Sequence, residues 1–486
     1  MAKQTNHIAA FIAIGKILAM VLNFVTPLFL TRFLSKGDYG LYSQFNTVFL
    51  FLGSIFGMGI QSNLYFFYPK ASDDKTKSLL VTTTFLLQTF ITIIGLSLLL
   101  IPIVSNWLLG GKELQQYLGI IIITTWLYVP TRILDPLFTL KKDGFSSMLF
   151  PPIETIGKVV LIVVAALVFG GIQSILVAVC LFQAGCFIYT FVYSMRSGMC
   201  FKDYHIDKKM VRQILAYSLP FGFAVILNTL SSRLDKLICI SYLTTEQYAI
   251  YSLAFFGIPG VMQVYDALCQ VNVMDMSKAY HDNNHKGILS LYRTFVTKTL
   301  SFSLPIILIV FVFAKPLLLL LFTEKYIESV PFFQVYILTF VIAMLGAGTI
   351  LRAINKTKMS LIAYALSALV FIPATYFLIR QYGMWGAMGG ALIGNMLPRF
   401  IQIFIEMRLM NCSLSEYFPI KKILSVLLIC IGLVAPVYFC NKLFDLNYFV
   451  CGTVGVLYLF LTYFIEVRLA LIANPLPLLL NRLKKT

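Results

Sequence analysis

The stretch Leu34-Ser-Lys-Gly-Asp-Tyr-Gly-Leu-Tyr-Ser43 returns 209 residues later as Leu243-Thr-Thr-Glu-Gln-Tyr-Ala-Ile-Tyr-Ser252. Both copies lie on a polar turn between two long apolar runs. Weaker echoes pair Phe169-Gly170-Gly171 with Tyr382-Gly383, and Met195-Arg196 with Met407-Arg408, at similar offsets. Six apolar runs separate the two main copies. Six is even, so both halves enter a membrane in the same sense, related by an axis along its normal, as in transporters built from parallel repeats.

Outward from that turn, the chain is apolar almost throughout. Of its 486 residues 59% are hydrophobic and 12% charged, with a mean hydropathy of +0.86. A soluble protein carries about twice that charged fraction. Too little polar surface remains to cover a globule in water, so lipid is the solvent. Polar interruptions divide the chain into about fourteen runs of spanning length. The first seven are 8–34, 41–67, 79–105, 117–140, 148–170, 174–195 and 214–243. The others are 249–274, 296–322, 332–351, 359–379, 387–407, 423–441 and 448–466. The first run reads as a retained helix, since no small-residue cleavage site follows a short apolar core.

The expected fold is therefore all-α and integral to the membrane. Two six-helix lobes, 1–213 and 214–410, would face each other across a central cavity, and residues 411–486 would add two helices and a cytoplasmic tail. Charge fixes the orientation. One set of alternating loops holds only Lys36, Lys112, Lys325, Arg380 and Lys442, while the opposite set holds most of the remaining Lys and Arg. By the positive-inside rule the richly basic loops, and both termini, are cytoplasmic.

A net charge of +18 does not signal nucleic-acid binding, because the cations sit in short clusters between spans and form no basic stripe. No phosphate-binding GxxxxGK[ST] loop is present, which argues against direct ATP coupling. His281 and His285 lack the glutamate of a metalloprotease helix, and the nine Cys show no ligand spacing. No cofactor, metal or catalytic constellation is expected, and the chain reads as a transporter, not an enzyme.

Ionisable groups inside spans are costly in lipid unless they face a partner or a wet cavity. Lys158, Arg233, Lys236 and Arg399 lie deep, and Lys16 about two turns in. With Arg32 they form the expected cationic substrate site, suited to a phosphate or diphosphate. Asp235 and Asp266 are coupling-ion candidates. Arg132 with Asp135, and Glu154 with Lys158, are spaced to share a helix face and pair. Lys298, Lys315, Glu406 and Arg32 stand near span ends, where long side chains reach the headgroups.

The segment Phe29-Leu30-Thr31-Arg32-Phe33-Leu34-Ser35, followed by Asp38-Tyr39-Gly40-Leu41-Tyr42, resembles the first hairpin of the polysaccharide transporter family. Tyr382-Gly383-Met384-Trp385-Gly386-Ala387 resembles the glycine-rich turn before its twelfth helix. These are flippases for polyprenyl-diphosphate-linked oligosaccharides within the multidrug/oligosaccharidyl-lipid/polysaccharide exporter superfamily, and the resemblance spans nearly the whole chain. It implies alternating access in a bacterial inner membrane, serving O-antigen, lipopolysaccharide, capsule or exopolysaccharide assembly. Implied partners are the lipid-linked oligosaccharide, membrane lipid, a polysaccharide polymerase and a chain-length regulator. Arg32 alone is carried over by motif position. Only Lys16 and Arg32 charge the first two spans, which separates the chain from the lipid II branch. Those spans hold no acid, which counts against a cation-coupled multidrug antiporter of the same fold, the alternative reading. A membrane polysaccharide polymerase would need a sizeable outside loop or a paired acid, and the pattern offers neither.

Overall fold

Lipid leaves a backbone few choices, since every amide must find its partner within the chain. In the computed structural model, which describes residues 18, 22–71, 73–110, 112–200, 207–258, 260–444, 447–469 and 471, every regular element is helical. The principal helices begin with α1 (22–33), α2 (Lys36–Gly57), α3 (Asp74–Ser97), α4 (Leu118–Thr131) and α5 (Gly144–Val168). They continue with α6 (Gly171–Arg196), α7 (Lys208–Tyr242), α8 (Thr245–Ala254), α9 (Val261–His281) and α10 (His285–Val312). The last are α11 (Val330–Ala343), α12 (Thr349–Ala353), α13 (Thr357–Met410), α14 (Ile420–Phe444) and α15 (Tyr448–Arg468).

The polar turns that mark span boundaries in the sequence also start the helices. Ser35, Asp73, Asp143, Asp207 and Asn284 each accept from a first-turn amide, capping α2, α3, α5, α7 and α10. Within the spans, hydroxyls bond back to carbonyls one turn earlier, as Thr31, Thr47, Thr82 and Thr190 do. Large apolar side chains such as Leu369, Phe377, Phe439 and Phe460 are exposed. An apolar surface of that extent is a lipid-facing one.

Among the described residues nine helices are long and apolar enough to cross a membrane, or ten if the bent pair Lys36–Gly57 and Ile60–Lys70 is one span. The pair is bent by 44°, at Met58 and Gly59, both with positive φ. Several expected spans are broken instead of continuous. The run 332–351 divides into α11 and α12 around Gly346 and Gly348, and 249–274 divides into α8 and α9. Hydropathy averages over such breaks and does not see them. The runs 359–379 and 387–407 belong to the 54-residue α13. At 1.5 Å per residue that is about 80 Å, far more than one bilayer crossing, and Gly383 (φ 54°, ψ −127°) interrupts it.

The chain packs as two units. One comprises Met1–Ser252 with Thr375–Ala387, the other Leu253–Ala374 with Met388–Thr486. This grouping places α7 with the first unit, whereas the repeat alone divides the chain at 213/214. In the first unit a core forms around Ile60, Leu64, Val81, Phe85, Ile133 and Leu137. In the second, Tyr292, Phe295, Met344 and Tyr417 are buried together, and α14 and α15 pack on α10 through Val312, Phe313, Val434 and Tyr458.

The internal repeat is written in the backbone. Left-handed residues recur 213 positions apart: Gly110 and Thr323, Lys142 and Asn355, Gly170 and Gly383, Gly198 and Asn411. The turns carry the same hydrogen bonds. Lys142 donates to Thr139 and Asp143 to Phe138, just as Asn355 donates to Arg352 and Lys356 to Leu351. Within the first unit the two copies of the opening motif touch. A Cβ built on Gly40 would stand 1.8 Å from the Thr245 carbonyl oxygen, so only glycine fits, and Tyr248 donates to Thr47 Oγ1 at 2.9 Å.

Candidate functional site

In the first unit, charges from three helices gather around one tyrosine. Tyr128 lies in the last turn of α4, with Phe49 of α2 packed against its ring at 4.7 Å. Arg132 caps the same helix and folds back, its guanidinium 4.2 Å from the Tyr128 ring centroid and donating to the Tyr128 hydroxyl. The stacking follows from helical spacing, which sets Arg132, the C-cap of α4, one turn beyond Tyr128. Glu154 and Lys158 follow one turn apart on α5, within electrostatic reach of Arg132. Arg233 of α7 comes within electrostatic reach of Tyr128. The cluster thus holds three cations and one acid.

The two expected helical pairs are not direct contacts. Arg132 turns to Tyr128, and Asp135 is exposed. Glu154 and Lys158 share a face of α5 but do not close an ion pair. Among the described residues Lys158 and Arg233, both partly buried, make no direct hydrogen bond or ion pair. Asp235 is 7% exposed and accepts from the Tyr251 hydroxyl at 3.2 Å, tying α7 to α8. Lys236 is its neighbour in sequence and within its field. Arg32 is exposed and donates to the Leu28 carbonyl. Lys16 lies outside the described residues.

The second unit has a cavity of about 380 Å³ between α9, α12 and α13, lined by Arg352, Arg399, Tyr265, Gln402, Tyr364 and Ser360 among others. Arg352 Nη2 donates to Cys269 Sγ at 2.8 Å and Arg399 Nη1 to the Asn395 carbonyl at 2.6 Å. These contacts engage one nitrogen of each guanidinium, whose fork carries five N–H donors. No Asp or Glu is among the described lining residues. Asp266 is exposed and stands beside Tyr265 in sequence.

Glu406 corrects an expectation. It does not reach toward headgroups but is 0% exposed. Its Oε1 accepts from the Leu351 amide at 2.9 Å and its Oε2 from the Tyr417 hydroxyl at 2.5 Å. The amides of Gly348 and Ile350 also favour the carboxylate. It therefore caps α12, the short helix that presents Arg352. Gly348, at φ 83°, opens that helix, and a Cβ there would press on Gln402 Oε1 at 2.8 Å. Sequence reasoning missed Tyr128, Arg352 and Glu406 as site residues. The Gly346-Ala347-Gly348 interruption of an apolar run was the signal for the last two.

Chemically, both sites suit an anion. Planar guanidinium groups grip phosphate oxygens by paired bonds and a lysine adds a mobile point charge. The Tyr, Ser and Gln side chains beside Arg352 and Arg399 offer the donors and acceptors that sugar hydroxyls require. Among the described residues no group of His, Cys, Asp or Glu could hold a metal ion.

Comparison with known proteins accords with this geometry. Residues 29–331 match the sequence model of a family described as polysaccharide biosynthesis protein. An uncharacterized membrane protein in the cps region of Klebsiella pneumoniae is 22% identical over 426 residues, covering 85% of this chain and 81% of that one. The lipid II flippase MurJ in an inward closed conformation superposes with a TM-score of 0.74 at 16% identity, over 95% of this chain and 99% of that one. An inward-facing multidrug resistance MATE family transporter of the MOP superfamily gives 0.64 at 13% identity, over 81% and 94%. The two structural likenesses establish a shared multi-pass transporter fold.

Proposed function

Because the chain belongs to the polysaccharide biosynthesis protein family, we propose that it flips polyprenyl-diphosphate-linked oligosaccharide repeat units across the bacterial inner membrane, both termini being cytoplasmic. The product would feed O-antigen, capsule or exopolysaccharide assembly, with a polymerase and chain-length regulator acting downstream. The observation that carries this reading is the pair Lys158 and Arg233, partly buried helix cations with no direct hydrogen-bond or ion-pair partner among the described residues. A cation held out of water at that depth is stabilised by an anion, and a diphosphate supplies one.

In this mechanism the two repeats expose their cationic sites alternately to the two sides of the membrane. Lys158, Arg233 and Arg132 neutralise the diphosphate, with Lys236 beside them, and Arg352 and Arg399 hold it in the second unit. The Tyr265, Tyr364 and Gln402 side chains meet sugar hydroxyls. The polyprenyl tail stays in lipid. A drug antiporter of the same fold would need an acid free to take up a cation. Asp235 is engaged by Tyr251, Glu406 by Leu351 and Tyr417, and Glu154 lies in the field of Arg132 and Lys158. That leaves the exposed Asp266 and the buried Glu466, whose Oε2 has no hydrogen-bond partner among the described residues, as the acids such an antiporter would use.

The test is mass spectrometry of polyprenyl-linked sugars in a deletion strain, with staining of surface polysaccharide. Accumulated complete repeat units and a bare surface, both reversed by the wild-type chain and not by a K158Q/R233Q variant, are expected. Unchanged lipid-linked sugars and a normal surface would overturn the proposal, and altered drug susceptibility in that strain would point to the antiporter.

A further inference from the structure

Sharing no lining residue with the Arg352–Arg399 cavity, a second groove of the same unit, about 950 Å³, lies where α10, the turn after α13 and the start of α14 converge. Lys286 and Arg293 reach it from α10, seven residues and so two turns apart on one face. Lys421 and Lys422 reach it from the first turn of α14. Its described lining contains one acid, Glu416, whose Oε2 accepts from the Ser413 amide and hydroxyl at 2.8 and 2.9 Å. Among the described residues none of the four cations has a side-chain hydrogen bond or ion pair.

That arrangement is unfavourable when empty. Four like charges share one concavity, and two of them sit at a helix N-terminus, where the macrodipole opposes positive charge. Positive-inside topology accounts for cations on this side of the membrane. It does not account for four cations from separate segments converging on one groove whose described lining offers them a single carboxylate, Glu416. The lining between them is mixed, with Leu289, Met410, Pro419 and Ile420 forming its apolar part and Ser290, Thr294, Asn411 and Ser415 its neutral polar part. A ligand that satisfies both features carries a phosphate on an apolar chain, and the groove's cations belong to the basic loops that the positive-inside rule assigns to the cytoplasmic headgroups.

We propose that this groove binds the headgroup of an anionic phospholipid, its phosphodiester held between Lys286 and Arg293 on one side and Lys421 and Lys422 on the other. An acyl chain runs along Leu289 and Ile420. The site is separate from the transported substrate, so its failure would leave the flippase reading untouched.

The full-length protein in neutral detergent is titrated with dioleoylphosphatidylglycerol, dioleoylphosphatidylcholine or inorganic phosphate, and its thermal unfolding is followed. The anionic lipid should raise the Tm, and the zwitterionic lipid should not. K421Q/K422Q should need about fivefold more anionic lipid per cation removed, while the charge-conserving K421R/K422R should titrate like wild type. If K421Q/K422Q unfolds early in phosphatidylcholine, K286Q on α10 gives the same readout. An undiminished response in these variants, an equal shift with phosphatidylcholine, or an equal shift with free phosphate at the same concentration would overturn the proposal.

Discussion

Replacing Glu406 separates a structural carboxylate from a conducting one. In Glu406→Ala two buried donors lose their acceptor, the Leu351 amide and the Tyr417 hydroxyl. At about 1–3 kcal/mol for each orphaned group, the loss is about 2–6 kcal/mol. Glu406→Gln keeps an oxygen for Leu351, and its amide can donate to a Tyr417 hydroxyl turned to accept, so about 1 kcal/mol or less is expected. The readout is hydrogen exchange of a peptide spanning residues 346–356 in detergent-solubilised protein, alongside the Tm. A loss of 2 kcal/mol in local opening accelerates exchange about thirtyfold. Glu406→Ala should show at least that and Glu406→Gln should stay within about fivefold. Because α12 carries Arg352, export should fall with Ala and survive with Gln. If Gln proves as damaging as Ala, the negative charge itself matters and the capping argument fails. Unchanged exchange in Glu406→Ala would remove Glu406 from the support of α12 altogether.

Other outcomes follow from the same contacts. Arg352→Gln should weaken substrate handling about tenfold to a hundredfold, the worth of one charge-assisted phosphate bond, with Arg352→Lys restoring only part of it; in vivo export at graded expression measures both. Gly348→Ala forces a left-handed residue against Gln402 and should cost about 1–3 kcal/mol in unfolding, lowering the Tm without changing membrane insertion. Asp73 accepts from the Thr76 hydroxyl and amide, and these bonds hold its carboxyl below the ordinary Asp value. The cap on α3 is therefore fully present above about pH 4 and is lost as pH falls through the lower folded value. The Thr76 amide's protection factor, exchange corrected for its intrinsic pH dependence, should fall across that acid range, and Asp73→Asn should flatten the dependence.

The repeat and the helical membrane architecture were legible because both depend on local composition. Apolar runs, capping turns and a recurring Tyr-x-x-Tyr-Ser motif, at residues 39–43 and 248–252, each announce themselves within a few residues. What stayed hidden depends on partners distant in sequence. Glu406 looks like a span-end acid until Leu351, 55 positions earlier, delivers its amide. Arg352 reads as a loop cation because hydropathy passes over the Gly346–Gly348 break that turns it toward Cys269. The spacing of Arg132 and Asp135 promised a pair, and the aromatic ring of Tyr128 on the previous turn took the guanidinium instead.

The fit of Gly40 against the Thr245 carbonyl has a consequence for how the protein is made. The two surfaces are separated by about two hundred residues of chain. At roughly 5–20 residues per second of synthesis, the first must wait about 10–40 s for the second to emerge. During that interval the Gly40 face of α2 lies open to lipid, and the Thr47 hydroxyl, later the acceptor for Tyr248, is already satisfied by the Ser43 carbonyl at 2.9 Å. The Thr47 hydroxyl thus has a partner within its own helix before Tyr248 arrives with the second half of the polypeptide.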